Sequence, residues 1–483
     1  MPEEFDAIVI GAGVSGMAIG ALLTKAGKKV LVLERMSQVG GRATSFKRVG
    51  PDGREWMQDI GGFHSMTMAD RGAMACVYRE CGLGFDMLGL APPQQGFLIF
   101  RHGRWDDMVE LNKGANREDF KKIISETVSL KYEDIDQLDT ISFRKWIADR
   151  TPREDLHDWF RAVGFVWTTI PDFDEMAAGE CVYTMKMSLE SVHSVSSGSF
   201  IKGGSISLSL PLADYIKKNG GDVRCSSKVS QILVKGGRVT GVTVGEVPLE
   251  AMGEAEPETI LAPLVVSSVP IWNLFDLIPE SELPHWFIRL IRSYMNPDIL
   301  HSYRTAQVRT HYVLGAKILE HMKYGGTEHR VAFEMPHTRG THQGAMAGAS
   351  DPAQAGSGTI TFGFGASGLN PELVKDKKAV EQLCQALDKD FALLYPEITE
   401  EFIISKRSYG AAVPPGRALV DGLARMPYYT GNLRVDHKSP IEGLYLIGDT
   451  VRTRGCGIDA AVRSSIWCFN KIMGENVPSF LPT

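Results

Sequence analysis

The chain has 483 residues, 43% apolar and 23% charged, with 52 Lys and Arg against 58 Asp and Glu for a net charge of −6. That is globular composition, long enough for roughly two to four domains with their own cores and no need of a disulfide or metal staple. The absence of a Lys/Arg block argues against a nucleic-acid partner, and no run reaches the ~18 apolar residues of a membrane-spanning helix.

Seven cysteines are scattered without a C-x-x-C pair, as expected in a reducing compartment and not in a zinc ribbon or dithiol centre. A first strand from about residue 5 leaves no room for a signal peptide. The expectation is a cytoplasmic protein, with peripheral membrane contact and a homodimer left open.

"FDAIVI", residues 5–10, is an apolar run suited to a buried parallel strand. "GAGVSG" follows, then "MAIGALLTKAG" at helical spacing, with Gly27 placed to end the helix in a left-handed cap. "KKVLVLE" supplies a second strand, completing a βαβ unit of about 30 residues. Gly11, Gly13 and Gly16 spell G-x-G-x-x-G between strand and helix. The first permits the tight turn, the second lets the backbone approach a pyrophosphate, and the third lets helix pack on strand. The helix N-terminus offers free N–H groups to the phosphate. Glu34 closes the second strand, where an acid would accept hydrogen bonds from ribose hydroxyls.

In the middle, "GGDVRCSS" reads as a strand after a helix, and "KVSQILVKGGRVTGVTV" as a hairpin about a Lys-Gly-Gly-Arg turn. Residues 245–262 are Glu/Pro-rich and read as a loop, before a strand "ILAPLVVSSVP" that ends at Pro270. Residues 76–199 and 271–404 carry most of the Trp and His and several amphipathic patterns. One is "PELVKDKKAVEQLCQALDKDFALLY", with Asn370 as N-cap and Pro371 at its first position. Six histidines between 301 and 342 are irregularly spaced, so no metal site is expected. "GFGASG", 363–368, repeats the glycine spacing, but no acid-ended strand follows it; Asp388 and Asp390 fall on an expected helix, and the match reads as coincidence. Near the end, "LYLIGDTVRTRGCGIDAA", 444–461, is again strand, acid, glycine turn and helix.

After Glu34 comes "RMSQVGGRATSF", with Gly40, Gly41 and Arg42. Together with 200–242 and 440–472, this resembles the flavin-dependent amine oxidase and phytoene desaturase superfamily. The segment style is more like the phytoene desaturase and retinol saturase branch than the amine oxidases. The resemblance implies one extended, noncovalent FAD gripped at both ends. Gly11, Gly13, Val14, Ser15, Gly16, Glu34 and Arg35 would hold the ADP half, with Gly40 and Gly41 beside them. Arg42 would sit near the pyrophosphate or flavin edge, or else be a surface arginine. Val229 falls at the position that contacts adenine. Gly448 and Asp449 would meet the ribityl chain, and Gly457, Ile458 and Ala461 would open the helix facing the flavin pyrimidine ring. A helix N-terminus there favours the reduced, anionic flavin.

Departures from the family pattern are Arg454 for a proline and Ser464-Ser465 for Ser-Gly. Arg454 would put charge near the flavin or point to solvent. Cys456 is not in the motif of the family's covalent cysteine. "QDIGGFHSM" places Gly61, Gly62, Phe63 and His64 where the family's strand passes the flavin ring. His64 is a candidate acid or base, a polarising group, or a packed histidine. Of the tyrosines near the last motif, Tyr409, Tyr428 and Tyr429, the first is carried as a candidate catalytic residue.

The expected fold is α/β: a Rossmann-like FAD-binding domain, three-layer and discontinuous (1–75, 200–270, 405–483), with an interleaved α+β substrate domain (76–199, 271–404). The expected activity is hydride transfer between flavin N5 and a C–H bond of an apolar, isoprenoid or alicyclic small molecule, in desaturation or saturation. The electron acceptor is open between oxygen, a quinone and a protein. The alternatives are amine oxidation, a redox-neutral flavin isomerase, and a binding protein like the Rab GDP dissociation inhibitors, which share the fold without flavin.

Overall fold

The computed structural model describes residues 3–50, 53–59, 65–66, 68–86, 88–89, 96–108, 117–168, 170, 172–193, 199–245, 258–294, 306–325, 328–347, 359–369, 376–412, 430–455 and 457–482. Four short runs of Val, Ile and Leu, with Asp222–Arg224 at one edge, build a five-stranded parallel sheet. Its order is Asp222–Arg224, Val30–Leu33, Ala7–Ile10, Val265–Ser267, Leu444–Leu446. Such runs are apolar on both sides because both faces of a parallel sheet are covered. Ala7 and Val9 pack with helices Val14–Lys25, Ala73–Glu80, Leu210–Lys218 and Gly457–Met473. Ile8 and Ile10 face the other way, onto Val229, Val242 and Ile260 of an antiparallel layer. Helices, parallel sheet and antiparallel sheet form three layers.

The first helix ends at Gly27, φ +81°, as its sequence predicts. The hairpin is also as predicted: Lys228–Lys235 pairs with Arg238–Gly245 about Gly236 and Gly237, both at positive φ. Within the expected 245–262 loop, Glu258–Leu261 is a strand that completes this layer beside Arg238–Gly245. Asn370 and Pro371 lie outside the described residues; helix Lys377–Leu394 is capped by Asp376, whose carboxylate accepts from Ala379 N at 2.7 Å.

A second, seven-stranded sheet runs Ile403–Ala412, Ala306–Gly315, Thr359–Leu369, Thr341–Ala347, Glu328–Ala332, Gly96–Arg101, Arg104–Asp107. Helix Lys377–Leu394 packs on one face through Leu387, Phe391 and Leu394. Helices Arg117–Ser129, Phe143–Ala148, Glu154–Thr168 and Ala178–Val192 gather around Phe97, Ile99 and Val331. Two features bear on the sequence reading. The strand Ile403–Ala412, most of which the sequence reading places in the nucleotide-binding piece from 405, pairs with Ala306–Gly315 in this sheet. "GFGASG" lies inside strand Thr359–Leu369 and not in a strand-to-helix turn.

Candidate functional site

The five parallel strands end at one edge, where open α/β sheets bind ligands. The first turn leaves this edge at Gly11, whose φ of +94° favours glycine and whose Cβ would lie 2.4 Å from Ser268 Oγ. A Cβ on Gly16 would lie 1.9 Å from Gly11 O, so helix and strand touch there. Gly13 is different. Its φ of −68° suits any residue, and a Cβ would meet only Gly41 Cα at 3.9 Å. Packing does not demand glycine at 13; a ligand pressed against its backbone would. The helix behind it has no side-chain cap and no acid in its first turn.

Glu34 is buried beneath this turn. Its carboxylate accepts from Ala12 N at 2.8 Å and Met36 N at 2.9 Å. The Gly-Gly-Arg segment lies on the same turn: Gly40 N donates to Ala12 O at 2.8 Å, and a Cβ on Gly41 would stand 3.0 Å from Gly13 Cα. Arg42 then reaches across to Asp449, Nη2 to Oδ2 at 2.5 Å, joining residues 407 apart in sequence. Val229 is buried, two residues beyond Ser227, whose N–H donates to Glu34 O at 2.7 Å. Arg35 is exposed beside the turn.

At the other chain end, Gly448 takes φ +109° and donates its N–H to Ser464 Oγ at 3.1 Å. Ser465 Oγ donates to Ser15 O at 2.8 Å. The Ser-Ser departure therefore has two jobs: one hydroxyl holds the Gly-Asp turn, the other ties the closing helix to the opening one. Val14, Ser15, Ile458 and Ala461 are buried in these two helices. Gly457 is exposed at φ +57°. Gly61, Gly62, Phe63, His64, Cys456, Tyr428 and Tyr429 lie outside the described residues; Tyr409 stands on strand Ile403–Ala412 opposite Arg309.

Arg454 overturns one of its expected placements: it is buried, does not point to solvent, and enters an acidic nest in the helical layer. Nη1 bonds Asp139 Oδ1 at 2.5 Å, Nη2 bonds Asp139 Oδ2 at 2.8 Å, and Asp136 closes on Nη2. Glu180 accepts from Gly455 N at 2.9 Å and Gly431 N at 2.8 Å and pairs with Arg434 at 3.1 Å. Arg463 donates to Arg454 O at 2.6 Å. Burial would lower Arg454, but Glu180 and Asp139 outweigh it and hold the guanidinium charged. Burial raises the Asp139 carboxyl, with Arg454 opposing. This network fastens the C-terminal glycine turn to the helices, and sequence reasoning missed its acids because they lie up to 318 residues away. Asp459 was likewise missed. Fully enclosed, it accepts from Ala73 N at 3.0 Å and is pushed up by burial, so it orders a neighbouring helix and does not face a ligand.

A glycine turn that keeps open space at Gly13, over a buried acid and bonded to a second turn from the far end of the chain, defines a binder of an extended dinucleotide on a three-layer α/β fold. Comparison with known proteins gives the class a family. The family described as "Flavin containing amine oxidoreductase" matches residues 14–467, and the chain belongs to it. It is a family of FAD-dependent oxidoreductases, and FAD is the cofactor the site fits. All-trans-retinol 13,14-reductase of Danio rerio is 25% identical over 325 residues, 58% of this chain and 50% of that protein. The neurosporene-forming phytoene desaturase of Cereibacter sphaeroides is 24% identical over 329 residues, 60% of this chain and 55% of that one. The chain thus spans about half the length of these curated relatives. A crystal structure of an oxidoreductase from Methanosarcina mazei superposes with a TM-score of 0.71 at 19% identity, over 97% of this chain and 100% of that one, a likeness of fold. Among the described residues no helix is long and apolar enough to cross a membrane.

Proposed function

We propose that the protein oxidises or reduces a carbon–carbon bond of an apolar, isoprenoid-like small molecule with noncovalently held FAD. The observation that carries this reading is the reach of its relatives. Two proteins whose names describe retinol reduction and phytoene desaturation align over about three-fifths of the chain, well beyond the nucleotide turns. When bound, FAD supplies a hydride acceptor or donor. The chain supplies the grip. The backbone at Gly13 and the uncapped helix N-terminus bind the pyrophosphate, the Glu34 carboxylate receives ribose hydroxyls, and Asp449 receives the ribityl chain. Arg42, already bonded to Asp449, brings positive charge to the junction of the two halves. The Arg454 network holds the second turn rigid, so its helix N-terminus faces one fixed point.

Purified protein should be yellow, absorbing near ~450 nm, and should bleach on reduction. The test is anaerobic: photoreduced protein mixed with conjugated isoprenoids, and oxidised protein mixed with their saturated partners or with amines. Reoxidation by a polyene, or bleaching by its saturated partner, is expected. Bleaching by amines alone would move the reading to amine oxidation, and colourless protein that takes up no FAD would favour a binding protein of the GDP dissociation inhibitor kind.

A further inference from the structure

The closing helix Gly457–Met473 carries a single acid, Asp459, and it is buried in the first turn. The helix opens at Gly457, which is exposed and where a Cβ would meet nothing within 4 Å. Ser464 of the same helix accepts from Gly448 N at 3.1 Å, so the helix is bonded to the turn that bears Asp449. Asp459 points the other way. Its Oδ1 accepts from Ala73 N at 3.0 Å and so caps helix Ala73–Glu80, which has no side-chain cap of its own and no acid in its first turn. Gly72 has an ordinary φ of −77°, but a Cβ there would lie 2.3 Å from Asp459 Oδ1, so the carboxylate is what requires glycine at 72.

The bonding pattern also gives the charge. Among the described residues Asp459 accepts hydrogen bonds and donates none. A protonated carboxyl would need an acceptor for its O–H, so the geometry holds Asp459 as a carboxylate. Burial pushes its carboxyl up, and Arg463 with the N–H groups of Ala73 and Met68 works against that. No base pairs with it among the described residues. Arg463, one turn on, donates instead to Arg454 O at 2.6 Å. The buried arginines of this region, Arg434, Arg454 and Arg463, are matched in number by Asp136, Asp139 and Glu180. Asp459 is left over, an uncompensated negative charge at the start of the helix.

We propose that Asp459 tunes the flavin: its charge offsets the positive end of the closing helix, keeps the bound flavin hard to reduce, and makes the reduced protein the better hydride donor. The inference rests on the functional reading above, in which the second turn and its helix hold the flavin half. A helix N-terminus favours negative charge on a group in front of it, and a carboxylate within the first turn cancels that preference. Inside a protein such a charge is poorly screened, and charge beside the flavin ring is what a protein uses to set its potential. The reading deepens the proposed function by giving it a direction, from reduced flavin to an unsaturated substrate.

The test measures the midpoint potential of the FAD-loaded protein against a reference dye, with thermal melts to select folded variants. Asp459→Asn keeps the shape and removes the charge; Asp459→Ser is a second neutral variant with a hydroxyl to accept from Ala73 N. Each should raise the potential by about 30 mV, a tenfold shift of the two-electron equilibrium toward reduced flavin. Glu475→Gln, which removes an exposed acid just past the far end of the same helix, should leave it unchanged. A purely structural role predicts altered melts with the parent potential. An unchanged or lowered potential in a folded, yellow Asp459 variant overturns the tuning role and leaves the functional reading standing. Parent protein that takes up no FAD removes the functional reading itself.

Discussion

Glu34 shows how one side chain serves fold and ligand together. Its carboxylate already satisfies Ala12 N and Met36 N, so it arrives at the ribose position prealigned. Glu34→Ala should weaken FAD binding by about 1–3 kcal/mol and also lower the stability of the FAD-free protein, because two N–H groups lose their acceptor. Flavin retained after dialysis and a thermal melt read the two effects. The glycines separate the same two roles. Gly13→Ala should leave the melting temperature of the FAD-free protein within about 2 °C while cutting FAD affinity more than tenfold. Gly16→Ala should destabilise the fold itself, because its Cβ would strike Gly11 O at 1.9 Å. If Gly13→Ala protein binds FAD normally, the pyrophosphate lies elsewhere. His437 adds a pH effect. Buried, with Nδ1 3.0 Å from Leu446 O, it is held at about 4 by burial. The unfolded chain binds the proton more readily, so stability is full above about 6.5 and falls as pH drops toward 4, by roughly 3 kcal/mol. Urea unfolding at both ends of that window should show the slope, and His437→Gln should flatten it.

The element that organises the site is the closing helix Gly457–Met473 with the turn before it. The turn's glycines and the acid at 449 were legible because they are local demands: positive φ and a polar group beside a strand end. The role of Arg454 was not, since a lone arginine in a glycine turn carries no sign of Asp139 or Glu180. A buried ion network is costly to break from one side. Arg454→Met should lower stability by about 3–5 kcal/mol by stranding these carboxylates, measurable by denaturant unfolding. A variant as stable as the parent would mean that the network is not what anchors the turn.

Across the whole molecule, the Arg42–Asp449 bond closes the two ends of the chain around one site. Both groups are partly exposed, so the pair itself adds at most about 1 kcal/mol. Its importance is positional: FAD lying there would touch elements from both termini and stabilise the fold as a unit. At a hundredfold excess over Kd, bound FAD should add about 2.7 kcal/mol. Asp449→Ala should remove most of that thermal shift while changing the FAD-free melt little. A shift that persists undiminished would place the flavin half away from this turn.

The sequence alone determined the parallel strands, the glycine turns, the buried acid and hence the kind of ligand. Each is a short-range requirement, written as an apolar run, a left-handed φ or the bare backbone of a glycine. Only the tertiary structure decided that strand Ile403–Ala412 joins the second sheet, that Arg454 turns inward to acids of a distant helical segment, and that Arg309 lies over Gly365. Those outcomes depend on which surfaces meet, and hydrophobic periodicity tells a segment to be buried without naming its neighbour.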